Sequence, residues 1–157
     1  MKTMIYAAAF TLSFVALVPD AQAITIKDDS RLTHVVSSGQ FPEGKMRFVR
    51  HTFLLQISQE DSAISQLSIG IPLGLALTDN ISVSDPIGRK IDASILLKDN
   101  KIIMVFSQPV APGTRLNIAI NDVKIVGISN AWLYRIYAKF VGIDAEFPLG
   151  VAQVRVY

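Results

Sequence analysis

The sequence predicts an all-β fold, an antiparallel two-sheet β-sandwich of the immunoglobulin-like kind. Three observations point there. Short runs rich in Ile, Val, Leu, Phe and Tyr recur from residue 50 onward, and such residues fit a pleated, half-buried surface. Several of these runs alternate apolar and polar with period two. Gly, Pro, Asn and Asp turns separate them, and no long 3.6-residue period follows residue 24.

The first element is a leader. Residues 1–23 read as a secretory signal peptide: Lys2 gives the positive start, Ile5 to Val18 the apolar run, and Pro19 the break. Ala21-Gln22-Ala23 is an A-x-A cleavage site, so Ile24 is expected first in the mature chain. The apolar run is short for a bilayer span and has no charged stop after it. The mature chain is therefore expected outside the cytoplasm without a transmembrane segment. The periplasm is the expected compartment, with the thylakoid lumen and the cell surface as the others.

Residues 24–157 read as a single domain. Residues 24–49 form a loop-rich lead-in punctuated by Gly39, Phe41-Pro42 and Gly44, with Leu32 to Val36 as a short edge strand. Strands are then expected over His51–Ser58, Gln66–Ile71, Asn80–Ser84, Ala93–Leu97, Lys101–Ser107, Arg115–Ile125, Trp132–Val141 and Val151–Tyr157. Asp61–Leu67 could instead form a helical turn. Lys98-Asp99-Asn100-Lys101 reads as a hairpin tip. Ile102 to Phe106, five apolar residues in a row, predict a central strand buried on both faces. In the last long strands, Trp132, Tyr134, Ile136, Ala138 and Phe140 share one face, opposite Leu133, Arg135, Tyr137 and Lys139. Ala152, Val154 and Val156 likewise oppose Gln153, Arg155 and Tyr157.

The formal net charge is +2, and cysteine is absent. So small a charge argues against nucleic acid as a partner. Without cysteine there is no disulfide framework, thiolate nucleophile or lipid-modified residue, and packing must hold the fold.

A set of motifs follows in order: Phe106-Ser107-Gln108-Pro109-Val110-Ala111-Pro112-Gly113-Thr114, then Trp132-Leu133-Tyr134-Arg135, then Pro148-Leu149-Gly150 and the run to Tyr157. In order and spacing, from Thr52 to Tyr157, the chain resembles the cyanobacterial secreted proteins grouped as domain of unknown function family 2808. The resemblance implies a cyanobacterial source and an envelope location. It implies no activity and no functional residues. Taken as residues, Pro112-Gly113-Thr114 suits a tight turn, Trp132 and Tyr134 suit a core, and Arg135 suits the opposite, solvated face.

Catalytic chemistry finds little support. The sequence contains no G-x-S-x-G elbow, S-x-x-K pair or H-E-x-x-H helix. Only His34 and His51 could serve a metal, and a site needs three or four converging ligands. The Phe-Ser-Gln-Pro-Val stretch resembles a strand end of small periplasmic copper-binding sandwiches. Those use an N-terminal histidine, and Ile24 stands there instead. Asp79, Asp85, Asp144 and Glu146 are loop carboxylates, and Arg47, Arg50 and His51 form a small basic patch beside Phe48. The expectation is a non-enzymatic, secreted envelope module without cofactor or metal, binding a protein partner or an envelope polysaccharide. The alternatives are a glycan-acting hydrolase using loop carboxylates and a periplasmic metal-handling sandwich.

Overall fold

A computed structural model describes residues 31–157. The predicted signal peptide and its cleavage residues Ala21, Ala23 and Ile24 lie outside the described residues. Ten strands run in order: β1 His34–Phe41, β2 Phe48–Gln56, β3 Ile64–Gly70, β4 Leu75–Ala76, β5 Ile81–Ser84, β6 Ala93–Lys98, β7 Lys101–Val110, β8 Arg115–Ile125, β9 Ala131–Phe140 and β10 Phe147–Arg155. They form two sheets, and every pairing is antiparallel. One sheet has the order β1-β2-β8-β4, with β5 also pairing β8; the other has the order β10-β9-β3-β7-β6. The all-β sandwich expected from the sequence is the fold found.

The core is the space between the sheets, and period-two alternation fills it. Val49, Phe53 and Leu55 point inward from β2, and Leu116, Ile118 and Ile120 from β8. Ile102, Met104 and Phe106 of β7 and Trp132, Tyr134, Ile136 and Ala138 of β9 face them from the other sheet. Each large apolar side chain buried this way contributes about 1.5–3 kcal/mol before entropy is counted.

Four local expectations need correction. Ile102 to Phe106 is buried on one face only, because Ile103 is half-buried and Val105 is exposed. β7 is internal to its sheet, yet among the described residues no layer covers its outer face. The lead-in is more regular than expected: β1 runs for eight residues, starting at His34 rather than Leu32, and pairs along β2. The segment from Ile64 is strand rather than a helical turn, since it pairs on both sides with β7 and β9. The basic patch does not exist as a patch. Arg50 faces solvent, where its Nε donates to Asn121 Oδ1 at 2.7 Å, while His51 faces the core.

The turns carry their expected chemistry. Asp99 and Asn100 both have positive φ, 51° and 60°, as a two-residue hairpin requires. β8 bulges at Asp122, φ 53°, so that Val49 opposes Val123 while His51 opposes Ile120. That bulge returns Val123 to the core after Ile120.

Candidate functional site

Three places hold polar groups in unusual surroundings. The first is inside the sandwich. His51 and Tyr134 are fully buried and come from opposite sheets. Tyr134 Oη lies 2.6 Å from His51 Nδ1, and His51 Nε2 lies 3.2 Å from Gln40 Oε1. The Gln40 Nε2 donates to the carbonyls of Pro42 (3.2 Å) and Gly44 (2.8 Å). Those carbonyls fix the amide, so Oε1 must accept and His51 Nε2 must carry the proton. His51 Nδ1 then accepts from the Tyr134 hydroxyl. Burial holds the imidazole down to about 4 and pushes the tyrosine well above its usual range. Both groups are neutral near pH 7. They form a structural bridge that also tethers the loop after β1.

The second is a groove of about 460 Å³ where edge strands β1 and β10 of the two sheets meet. Ser38, Gln40, Glu43, Gln153, Arg155 and Tyr157 line it. Ser38 Oγ donates to the Gln153 carbonyl at 2.6 Å, joining the two edges through a side chain.

The third is a trough of about 530 Å³ on the outer face of the β10-β9-β3-β7-β6 sheet. Strand register builds it. Lys98 opposes Lys101, Lys101 opposes Gly70, Gly70 opposes Arg135, and Arg135 opposes Val151. Gly70 has no side chain, so the row of cations has a gap in its middle. Lys101 and Arg135 stand two strands apart, about 10 Å at the usual strand spacing. Tyr137 and Leu133 flank Arg135, and Lys101 Nζ sits 5.5 Å from the Tyr137 ring centroid. Lys101 also approaches Glu146 at 3.9 Å. Arg135 is exposed and has no ion-pair partner among the described residues.

The chain matches no protein-family profile, and no curated protein sequence matches it. Solved structures share the fold. The N-terminal domain of the Streptococcus gordonii adhesin Sgo0707 superposes with TM-score 0.55 at 9% identity, covering 77% of this chain and 32% of that one. The major pilin subunit BcpA of Bacillus cereus gives 0.51 at 8%, covering 79% and 40%. The RrgA Jo.In complex gives 0.50 at 10%, covering 77% and 78%. The chain thus spans about a third of the adhesin domain. These likenesses place it among β-sandwich domains of bacterial adhesins and pilins by fold.

The motif residues singled out in the sequence do not converge. Pro109 is exposed one residue before the end of β7, and Pro112, Gly113 and Thr114 make the β7–β8 turn, where Gly113 has φ 79°. Its backbone closes the end of β2: Gly113 N donates to the Ile57 carbonyl and Ile57 N to that of Thr114. Trp132 and Tyr134 are core residues. Pro148 and Gly150 flank a register shift between β10 and β9. Tyr157 is exposed and lines the groove. Of the motif stretches, Leu133, Arg135 and Val151 belong to the trough.

What the sequence leaves open is which strands stand beside the outer face of β9. The alternation of β9 put Leu133, Arg135 and Tyr137 on one outer face, but nothing in one strand says that Gly70 and Lys101 stand beside them. His34 and His51 lie at opposite ends of the β1–β2 pair, where His34 faces Gln56 and His51 faces Gln40. Among the described residues no three His, Asp or Glu side chains are grouped to hold a metal. The carboxylates are dispersed. Asp85 closes its own turn through Arg89 at 2.8 Å, Glu146 accepts from Ser68 Oγ at 2.6 Å, and Asp144 meets Lys139 at 3.4 Å. The groove and the trough each supply one carboxylate, Glu43 and Asp99; a two-carboxylate hydrolysis needs a pair.

Proposed function

We propose that this protein is a non-enzymatic binding module of the cell envelope, working outside the cytoplasm, and that its trough takes an acidic polysaccharide. One observation carries the reading: the row Lys98, Lys101, Gly70, Arg135 on an open sheet face, with Tyr137 beside it. Carboxylate groups on a saccharide chain would meet Lys101 and Arg135, and a sugar ring would rest over Gly70 against Tyr137. A guanidinium pairs with a carboxylate through two parallel hydrogen bonds, which adds orientation to charge. The open, shallow shape suits a chain passing across it rather than an enclosed small molecule. The adhesin and pilin folds around it, the predicted leader and the resemblance to family 2808 support an envelope setting. The periplasm is the compartment we favour.

Affinity electrophoresis tests this. The protein should be retarded in gels containing polygalacturonate and run freely in gels containing dextran. Arg135→Ala should abolish most of the retardation and leave the melting temperature unchanged, since the side chain is exposed. Equal mobility of parent and variant in polygalacturonate would overturn the reading.

A further inference from the structure

One end of the sandwich carries exposed apolar residues on three converging loops. Leu73 follows β3, Val126 and Ile128 follow β8, and Met46 precedes β2. Leu73 is 88% exposed and Ile128 fully exposed, with Val126 and Met46 at 68% and 50%. Scattered surface apolar residues are ordinary, but a cluster on one end marks an interaction surface. The loops are braced. Val126 N and Gly127 N both donate to the Gly74 carbonyl, at 2.8 and 2.9 Å, and Ile125 N donates to that of Arg47 at 2.9 Å. The tips are therefore held outward by backbone hydrogen bonds, and water receives their side chains.

Their charge setting is one-sided. Lys45 and Arg47 flank Met46, and no acid occurs within residues 44–50, 71–77 or 124–131. The neighbouring β6–β7 hairpin sets Asp99 between Lys98 and Lys101, and Glu43 lies just outside, in the β1–β10 groove. A protruding apolar tip with Lys45 and Arg47 at its base complements a lipid surface: the side chains enter the acyl boundary while the cations meet phosphate headgroups. A protein partner would more naturally receive such tips on a surface of matching concavity, with no call for unbalanced positive charge.

We infer that this loop end docks the domain onto anionic membrane, with Leu73, Val126, Ile128 and Met46 inserting and Lys45 and Arg47 contacting headgroups. Leu73 also lines the trough, so Ile128, Met46, Lys45 and Arg47, which do not, are what separate this inference from the polysaccharide reading.

Vesicle co-sedimentation tests it, using the purified protein with the leader state of parent and variants matched by intact mass. The parent should sediment with phosphatidylcholine vesicles containing phosphatidylglycerol, and much less with phosphatidylcholine alone. Leu73→Ser combined with Ile128→Ser should weaken binding about tenfold or more, as removal of two inserting side chains demands. Lys45→Gln with Arg47→Gln should weaken it and flatten its salt dependence, and this pair keeps the test intact should the apolar variant misfold. Ile87→Ser, exposed at the opposite end of the sandwich, should bind like the parent. A parent that ignores anionic vesicles, or tip variants that bind equally well, would overturn the inference; the first outcome would turn attention to a protein partner.

Discussion

Tyr134 donates a hydrogen bond to His51 across the interior, 2.6 Å from hydroxyl to Nδ1, and so ties β9 of one sheet to β2 of the other. The rings also meet edge-on, with centroids 5.7 Å apart, and Phe53 packs against Tyr134 at 4.9 Å. Apolar contact holds the sheets together anywhere along their length. This bond sets one point of alignment between them.

The bridge makes stability depend on pH. His51 is held near 4 in the fold, against an ordinary 6.5. Above about pH 6.5 neither state binds the proton, and the full stability is present. As pH falls from 6.5 towards 4, the unfolded chain takes up a proton that the folded one refuses, and stability is lost. Below about 4 this group has no further effect. The loss is on the order of 3 kcal/mol at most. Urea unfolding at a series of pH values should show this slope in the parent and a flatter one in His51→Gln. Matching slopes would mean that His51 is not the titrating group. Tyr134→Phe at neutral pH should cost about 1–3 kcal/mol, because it leaves a buried acceptor unpaired.

Two adjacent residues of β7 should respond in opposite ways. Met104 is fully buried between the sheets, and Val105 points out from the same strand. Met104→Asp should prevent folding, since an unpaired charge in the core costs several kcal/mol. Val105→Asp should express and melt within a few degrees of the parent. Circular dichroism on both variants checks the one-sided burial; loss of folding in both would restore the two-sided reading.

Gly74 should not tolerate a side chain. Its φ is +92°, and a Cβ there would lie 3.1 Å from Gly127 Cα and 3.2 Å from Trp132 Cζ3. Neither backbone nor buried indole can step aside. Gly74→Ala should cost about 1–3 kcal/mol from strain alone and perturb the fluorescence of Trp132, the single tryptophan. Gly142→Ala is the comparison. It shares a positive φ, +81°, but meets open space, so its loss should be smaller and its tryptophan emission unchanged.

Much of this fold was legible because alternation reports which face a strand buries. β8 was bounded residue for residue, and the two faces of β9 and β10 were assigned correctly. Alternation fails where the outer face is also apolar, as at Ile103 and Val105, because exposed apolar residues look the same as buried ones in the chain. Residue type and alternation disagree at His51. Val49, His51, Phe53 and Leu55 share a phase, which places the histidine inward; residue type alone groups it with Arg47 and Arg50. β4, two residues long, carries no pattern at all. The trough lay beyond reach for another reason. Gly70, Lys101 and Arg135 sit on three strands far apart in the chain, and only register makes them neighbours.

The meeting of β1 with β10 gives the sandwich a sewn side and an unsewn one. On the sewn side, Ser38 fastens to Gln153 and each edge ladder faces the other. At the far end of the second sheet, β6 presents an outer ladder with no partner among the described residues. Edge strands are where sheets recruit foreign chains. The two edges of the β10-β9-β3-β7-β6 sheet are thereby unequal: β6 offers an open ladder, while β10 is faced by β1. A strand added at β10 would lie against Ser38 and its bond to the Gln153 carbonyl, whereas one added at β6 would meet no such neighbour.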